Sequence, residues 1–321
     1  MILQILILIA GLLLILFGAN YLVDGSSSIA RRFGLSEFVI GLTIVGIGTS
    51  TPEMVVSFFS AIQGKADMAI GNVVGSNIFN TLLILGITAI ICPIKISRNA
   101  IRKDIPLNIL VTVLLIVLGL NMTLFGIGKA DVLSRIDGAI LLGIFVWYLW
   151  SSFKSSSNGE EDSEEDQIKN YSLGASIAFI VGGLLALIFG GRLFVDSATA
   201  IAKSLGMSEK FIAITIMAAG TSMPELATSA VAAFKKRGQL ALGNVVGSNI
   251  SNILLILGGS ALICPLSFGG MSVVDLGTLL GCTIFILLSA VMFKKKQLDR
   301  FEGTILLLCE AAYMWYLIAN L

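Results

Sequence analysis

The residues best suited to chemistry in this chain are two glutamates, each closing a Gly-Thr-Ser-x-Pro-Glu motif. The motifs occupy residues 48–53 and 220–225, so Glu53 and Glu225 are 172 positions apart (225 − 53 = 172). Both lie in apolar stretches, where an acidic side chain is costly and usually functional. Carboxylate oxygens bind hard cations such as Na⁺ and Ca²⁺. We therefore expect both glutamates to be cation ligands.

A second motif is repeated at the same offset. Residues 71–80 and 243–252 both read Gly-Asn-Val-Val-Gly-Ser-Asn-Ile-x-Asn, which ends in Asn80 and Asn252. The amide oxygens of these asparagines extend the oxygen-donor set. Ser76 and Ser248 can either join it or bond back to their own helix carbonyls, and both readings stay open.

The remaining polar and small residues of the second motif have a structural interpretation. Asn77 and Asn249 are expected to bridge helices. The glycines recur at GxxxG spacing, which is typical of closely packed membrane helices. We therefore expect the motif to hold two helices together as well as to present ligands.

Prolines break the helices that carry the glutamates. Pro52 and Pro224 have no N–H, so the carbonyls of Gly48 and Gly220 lose their helical partners. Deep in a membrane, freed carbonyls are tolerated only where they line a cavity or bind something. Four hydroxyls lie beside these breaks, those of Thr49, Ser50, Thr221 and Ser222. The predicted site is a cluster of oxygen donors.

Composition excludes several other classes of site and function. The chain contains no His, and its four cysteines all lie in apolar runs, so a site for a softer metal is not expected. Its 321 residues are 56% hydrophobic and 13% charged, which indicates an integral membrane protein with lipid as its partner. The net charge of +1 gives no reason to expect nucleic acid. No cofactor is predicted.

The elements that position these motifs are predicted to be membrane helices. A span needs about 20 apolar residues, and ten segments meet that length. They are residues 2–23, 37–62, 68–92, 105–125, 136–152, 172–195, 209–233, 239–264, 273–293 and 301–320. The predicted fold is all-α, with ten transmembrane helices as two inverted five-helix repeats.

The chain divides into two halves around an acidic segment. Residues 1–153 carry the motif pair in spans 2 and 3, and residues 171–321 carry it in spans 7 and 8. Residues 154–170 between them are Ser-rich and acidic, which is typical of a disordered linker. Because each half has an odd number of spans, the halves must be inverted, an arrangement that supports alternating access. One chain supplies both halves of the site, so a monomer is sufficient.

The charges of the connections between spans predict the orientation of the chain in the membrane. Of the 21 Lys and Arg residues, 15 fall in the odd-numbered connections, which the positive-inside rule places in the cytoplasm. Both termini are then outside and the acidic linker is inside.

Three acids lie outside the motifs. Asp24 and Asp196 are repeat-equivalent, and we expect both at helix ends. Glu310 lies in the middle of the tenth span and outside both repeats, with no function assigned from the sequence.

The two motif pairs resemble the α-repeats of the cation/Ca²⁺ exchanger superfamily, specifically its prokaryotic sodium/calcium exchanger branch. The resemblance covers both repeats and the ten-span plan. It implies antiport of several Na⁺ against one Ca²⁺ in a prokaryotic inner membrane, with no enzymatic step. It also implies ligand roles for the residues named above and adds the backbone carbonyls of Gly46 and Ala218.

One position departs from relatives in this superfamily. Several of them carry Asp where this chain has Asn252, so this site has two carboxylates rather than three. One Ca²⁺ balances a charge of −2, whereas three Na⁺ exceed it by one. The alternatives to Na⁺/Ca²⁺ antiport are Ca²⁺/H⁺ exchange and K⁺-dependent Na⁺/Ca²⁺ exchange. The missing Asp argues against obligatory K⁺, and the absence of His and of further motif acids argues against H⁺.

Overall fold

The computed structural model describes residues 1–126, 130–156, 170–207, 218–292 and 296–320. The regular elements in these ranges are helices and four two-residue strands, and a π-helical segment (Ala100–Asp104) precedes the helix that begins at Ile105. The helices are α1 (Ile2–Phe33), α2 (Glu37–Thr49), α3 (Thr51–Ile62), α4 (Ala66–Ile91), α5 (Ile105–Gly119), α6 (Asn121–Phe125), α7 (Arg135–Ser156), α8 (Leu173–Ser204), α9 (Ala218–Thr221), α10 (Met223–Phe234), α11 (Gly238–Ile263), α12 (Val273–Met292) and α13 (Arg300–Ala319).

Many of these helices suit a membrane. Within the described ranges, seven are long and apolar enough to cross one, and an eighth span results if the bent pair α2 and α3 is counted together. The predicted span 105–125 divides at Leu120 into α5 and α6. The start of the predicted span 209–233 and most of the acidic linker lie outside the described residues.

The helices α1 and α8 are longer than the predicted spans and pack against each other. Both contain 32 residues, and α1 ends where Gly34 adopts a left-handed φ of 62°. Small residues line their contact: a Cβ on Gly18 would lie 2.8 Å from the Gly183 carbonyl oxygen. The backbones therefore approach closely, as is common between membrane helices.

The extra length of these helices corrects one expectation. Asp24 and Asp196 lie inside α1 and α8 rather than at helix ends. The Asp24 carboxylate is 2.5 Å from the Lys235 ammonium, just beyond α10, whereas Asp196 faces Arg192 at 3.9 Å on the exposed side of α8. The apolar thickness of a bilayer sets the length of a span but not of its helix, so both helices continue beyond the predicted ends of the spans at residues 23 and 195.

The prolines interrupt the helices as predicted. Between α2 and α3 the chain bends by 47° at Ser50, which has φ −76° and ψ 8°. Between α9 and α10, Ser222 has nearly the same conformation, with φ −87° and ψ 9°. Each break places a glutamate in the first turn of the next helix.

Short π-helical segments interrupt the two helices that carry the asparagines. They cover Asn80–Ile84 in α4 and Asn252–Leu257 in α11, so each begins at a predicted ligand. Single π-helical turns are frequent at functional sites. No pattern in the sequence predicts them.

Four short strands tie the two halves of the chain together. Strand β1 (Ile94–Lys95) pairs antiparallel with β4 (Gln297–Leu298), and β2 (Val132–Leu133) pairs with β3 (Leu266–Ser267). In each pair, the strand that follows a motif helix of one half meets the strand before the last helix of the other half. The two pairs are therefore counterparts of each other.

The core lies around α4 and α11. Every residue from 240 to 254 is buried, and α11 packs against α2 through glycines. A Cβ on Gly243 would lie 2.2 Å from the Phe38 carbonyl oxygen, and one on Gly247 would lie 2.1 Å from that of Leu42. The close packing predicted from the GxxxG spacing is thus present in the second half. For Gly71 and Gly75 it stays a prediction, because the repeat-equivalent partner lies in the undescribed range 208–217.

Candidate cation site

Two fully buried glutamates lie at the broken helices, and each is held by a serine from the other half. The Ser222 hydroxyl donates to Glu53 Oε1 at 3.0 Å, and the Ser50 hydroxyl donates to Glu225 Oε1 at 3.0 Å. Both glutamates have no exposed surface. Ser76 adds a longer bond of 3.4 Å to Glu53 Oε1. The two breaks therefore meet and share their polar side chains.

The asparagines of the second motif form a second set of contacts between the halves. Asn77 donates to the Asn249 carbonyl oxygen at 3.0 Å, as expected of a helix bridge. Asn80 donates to Asn249 Oδ1 at 3.2 Å, and Asn252 donates to Asn77 Oδ1 at 2.9 Å. These bonds use the amide N–H groups of Asn80 and Asn252 and leave their oxygens directed elsewhere.

Four buried oxygens at this place have no hydrogen-bond donor among the described residues. They are Glu53 Oε2, Glu225 Oε2, Asn80 Oδ1 and Asn252 Oδ1. Each half contributes one carboxylate and one amide oxygen at repeat-equivalent positions. Leaving a buried acceptor unpaired is costly, and a bound cation would remove that cost. The donor set of carboxylate and amide oxygens is the one that Na⁺ and Ca²⁺ take.

Other predicted ligands surround this cluster with their hydroxyls already engaged. Thr49 donates to Asn244 Oδ1 at 3.1 Å and lies 3.4 Å from the Gly46 carbonyl oxygen. The same carbonyl accepts a bond of 3.1 Å from Ser248. Neither Ser76 nor Ser248 forms the bond to its own helix that the sequence left open. Their oxygen lone pairs remain available to a cation.

The second-half counterparts of Thr49 and Gly46 are less completely defined. Thr221 ends α9, next to Ser222, and Ala218 begins it, directly after the undescribed range. Ligand roles for the Thr221 hydroxyl and the Ala218 carbonyl remain predictions.

One carbonyl expected to be free is already bonded. The Gly48 carbonyl oxygen accepts from the Thr51 hydroxyl at 2.8 Å. In the second half the corresponding residue is Met223, which has no hydroxyl. Pro52 does release the Gly48 carbonyl oxygen from helical bonding. In the first half, however, the Thr51 hydroxyl donates to that oxygen.

Two asparagines that are not among the predicted ligands, Asn72 and Asn244, support the glutamates. Asn72 donates to the Glu53 carbonyl oxygen at 3.2 Å and to Ser57 Oγ at 3.0 Å. Asn244 does the same for the second half, donating to the Glu225 carbonyl at 3.4 Å and to Ser229 at 2.9 Å. Both asparagines stand in the repeated motif, so their recurrence was the signal that could have identified them.

The site has few charges for its number of oxygens. Among the described residues, no group of three or more Cys, Asp or Glu side chains could hold a metal ion. Two carboxylates with many neutral oxygens suit ions that bind and leave, because a larger fixed charge would hold a divalent cation too firmly.

The helical fold and this candidate site, which draws oxygen donors from repeat-equivalent positions of one chain, fit the plan of a secondary ion transporter. The family model "Sodium/calcium exchanger protein" matches residues 3–154 and 175–319. The chain therefore belongs to the sodium/calcium exchanger protein family. Antiport of Na⁺ against Ca²⁺, expected from the sequence, is confirmed, and the H⁺ and K⁺-dependent alternatives are not favoured.

Known proteins similar to this chain support the family assignment. The sodium/calcium exchanger MaX1 of Methanosarcina acetivorans is 33% identical over 96% of this chain and 97% of its own length. The inner membrane protein YrbG of Escherichia coli is 37% identical over 81% and 79%. A solved structure of the sodium-calcium exchanger NCX_Mj, soaked with Na⁺ and without Ca²⁺, matches with a TM-score of 0.84 and 36% identity, covering 100% of this chain and 99% of that one.

Proposed function

We propose that this chain exchanges Na⁺ for Ca²⁺ by alternating access, with both ions competing for the oxygens around Glu53 and Glu225. The observation that carries the proposal is the set of four oxygens, two from each half, that have no hydrogen-bond donor among the described residues where the broken helices meet. Asn80 and Asn252 complete that set. A Ca²⁺ ion would balance the two carboxylates, and Na⁺ ions would replace it by using the neutral oxygens as well.

The surrounding side chains would complete the coordination. We assign oxygen-donor roles to the hydroxyls and carbonyls closest to the cluster. These residues are Gly46, Thr49, Ser50, Ser76, Ala218, Thr221, Ser222 and Ser248. Their present hydrogen bonds do not conflict with this role, because a hydroxyl or carbonyl oxygen has two lone pairs.

The architecture proposed for the chain is ten spans in two inverted halves, residues 1–153 and 171–321, joined by a cytoplasmic linker at 154–170. The crossed strand pairs support it, because each pair joins one half to the other and the two pairs are repeat-equivalent. The spans α1 and α8 are the candidates to slide during the switch of access. Their contact through small residues supports this role, since it presents few protruding side chains to a sliding motion.

The proposed orientation places the chain in a prokaryotic inner membrane with both termini outside. Contacts between charged loops support it. Lys235 meets Asp24, and Arg237 meets Glu37 at 3.2 Å, so the basic connection after α10 lies on the same face as the end of α1. The positive-inside rule assigns that face to the cytoplasm.

The deciding experiment is uptake of radiolabelled Ca²⁺ into proteoliposomes loaded with Na⁺ and diluted into Na⁺, K⁺ or choline medium. We expect uptake only when Na⁺ is lower outside, and none with Glu53→Gln. Folded wild-type protein without Na⁺-driven uptake would refute the proposal. Uptake driven equally by K⁺ or a proton gradient would contradict the choice of Na⁺.

A further inference from the structure

Lys235 joins one of the broken helices to α1 through two contacts. Its ammonium group lies 2.5 Å from Asp24 Oδ1 and donates to the Asn20 carbonyl oxygen at 3.2 Å. Both charged side chains are 28% exposed, so most of their surface is shielded from the surroundings of the protein. Lys235 directly follows α10, which carries Glu225 in its first turn. The ion pair therefore fixes α1 to a helix that carries a glutamate of the site.

The two broken helices are covered to different extents. Helix α1 packs closely against α10, whereas the repeat-equivalent helices α8 and α3 hardly touch. Ala227, two residues after Glu225, is 9% exposed and belongs to the same apolar cluster as Leu22 of α1. Val55, two residues after Glu53, is 52% exposed. The face of α10 that leads away from the site is therefore covered by α1, and the matching face of α3 is open.

The repeat supplies no second ion pair of this kind. It places Asp196 where Asp24 stands and Gln63 where Lys235 stands (196 − 172 = 24; 235 − 172 = 63). Asp196 faces Arg192 of its own helix at 3.9 Å, and both of these side chains are mostly exposed. Because Gln63 is uncharged, a contact between α8 and α3 at the matching position would lack the ion pair. The two halves therefore correspond in position but differ in charge.

This difference matters when α1 and α8 slide. The two helices are in close backbone contact at Gly11, Gly18 and Gly25 of α1, so they would move as one unit. A movement that brings α8 over α3 must draw α1 away from α10 and separate Lys235 from Asp24. Separation of a partly exposed ion pair has a small but real energetic cost. On the opposite side, the uncharged residue at the matching position offers no ion pair in return.

We propose that Asp24 and Lys235 form a latch that holds α1 against α10 and keeps the cytoplasmic side of the ion site closed. This inference rests on the proposed function, from which it takes the sliding of α1 and α8 and the orientation in the membrane. The latch favours the state in which ions enter from outside, and it opens at each switch to the cytoplasmic side. It sets the balance between the two access states and leaves the ion ligands unchanged.

The test measures Ca²⁺ uptake into Na⁺-loaded membrane vesicles of both orientations, so that Ca²⁺ is offered to the outer side in one set and to the cytoplasmic side in the other. Lys235→Gln gives this position the same side chain as its counterpart Gln63. For Lys235→Gln and for Asp24→Asn, we expect the half-saturating Ca²⁺ concentration at the cytoplasmic side to fall about two- to fivefold. The value at the outer side should stay the same or rise. Because both substitutions break the same pair, their effects should not add in the double variant.

The outcomes separate this inference from the proposed function. Asp196→Asn is the matched control, because it removes the repeat-equivalent acid outside the latch, and it should leave both half-saturating concentrations unchanged. If wild-type vesicles show no Na⁺-driven uptake, the proposed function fails. If the wild type exchanges normally and the latch variants keep both values, or change both by the same factor, only the latch is overturned. Should Asp24→Asn fail to fold, Lys235→Gln breaks the same pair from the other partner and decides.

Discussion

At the scale of single residues, the site combines few charges with many oxygens. Glu53 and Glu225 are fully buried and share serine donors across the halves. In the described part of the chain, each keeps one carboxylate oxygen without a donor. Because one oxygen is hydrogen-bonded and the other is not, each carboxylate can be held in place and still offer a lone pair to an ion.

Removal of one of these charges should abolish transport. Glu225→Gln keeps the size and the bond from Ser50 but leaves a single carboxylate, which cannot balance Ca²⁺. We expect Ca²⁺ uptake at the level of empty liposomes, with a normal elution profile from size-exclusion chromatography. Glu37→Gln is the matched control, because Glu37 pairs with Arg237 away from the site; it should transport normally. Wild-type rates in Glu225→Gln would defeat the ligand assignment.

Addition of a charge should change the preference among cations. Asn252→Asp introduces a third carboxylate at a side chain whose Oδ1 has no donor among the described residues. We expect Na⁺ to inhibit Ca²⁺ uptake at about tenfold lower concentration, equivalent to ~1.4 kcal/mol, and the response to K⁺ to change. Titration of both cations against Ca²⁺ uptake checks this. Unchanged responses to Na⁺ and K⁺ would contradict the proposed place of Asn252 in the site.

At the scale of elements, the site depends on breaks in otherwise continuous helices. Pro52 and Pro224 end α2 and α9, and π-helical segments begin at Asn80 and Asn252. Each irregularity turns backbone or side-chain oxygens away from regular helical bonding. In a membrane this is tolerated where the irregular backbone is buried in protein.

Close helix packing brings these breaks together, and it can be tested at one glycine. In Gly247→Ala the new Cβ would lie 2.1 Å from the Leu42 carbonyl oxygen, so α2 and α11 must separate. We expect the protein to lose about 1–3 kcal/mol of stability, measured by thermal unfolding in detergent. Gly277→Ala on α12 is the control, since its Cβ meets nothing within 4 Å. Equal melting temperatures for the two variants would contradict this packing.

At the scale of the whole molecule, the two halves interlock rather than lie side by side. Strand pairs, serine–glutamate bonds and the asparagine bridges all join one half to the other. Neither half therefore contains a complete site. This interdependence is what a transporter needs if it is to expose one site to each membrane face in turn.

The proposed orientation predicts which loops are accessible from outside. Gln63, between α3 and α4, and Lys236, between α10 and α11, are both exposed and belong to corresponding connections. In a cysteine-free background, an impermeant maleimide added to intact spheroplasts should label Gln63→Cys and not Lys236→Cys. Labelling of both after the membrane is opened is the control. Labelling of Lys236→Cys but not of Gln63→Cys would show the opposite orientation in the membrane.

The sequence by itself determined the class of protein and the residue types expected as ligands. Acids, prolines and amides in apolar segments are too costly to keep without a function, so they were visible without coordinates. The repeat also predicted which residues of the two halves occupy equivalent positions. The glutamates and asparagines were proposed as ligands in this way, and Pro52 and Pro224 predicted that the helices break, which the structure places at Ser50 and Ser222.

The tertiary structure decided how these residues pair. Which serine bonds to which glutamate depends on contacts between segments about 170 residues apart. Which oxygens have no donor among the described residues, and the support from Asn72 and Asn244, depend on how neighbouring helices pack. The π-helical segments and the full length of α1 and α8 likewise came only from the fold. Periodicity reports the environment along one helix, whereas these features arise from the packing of one helix against another.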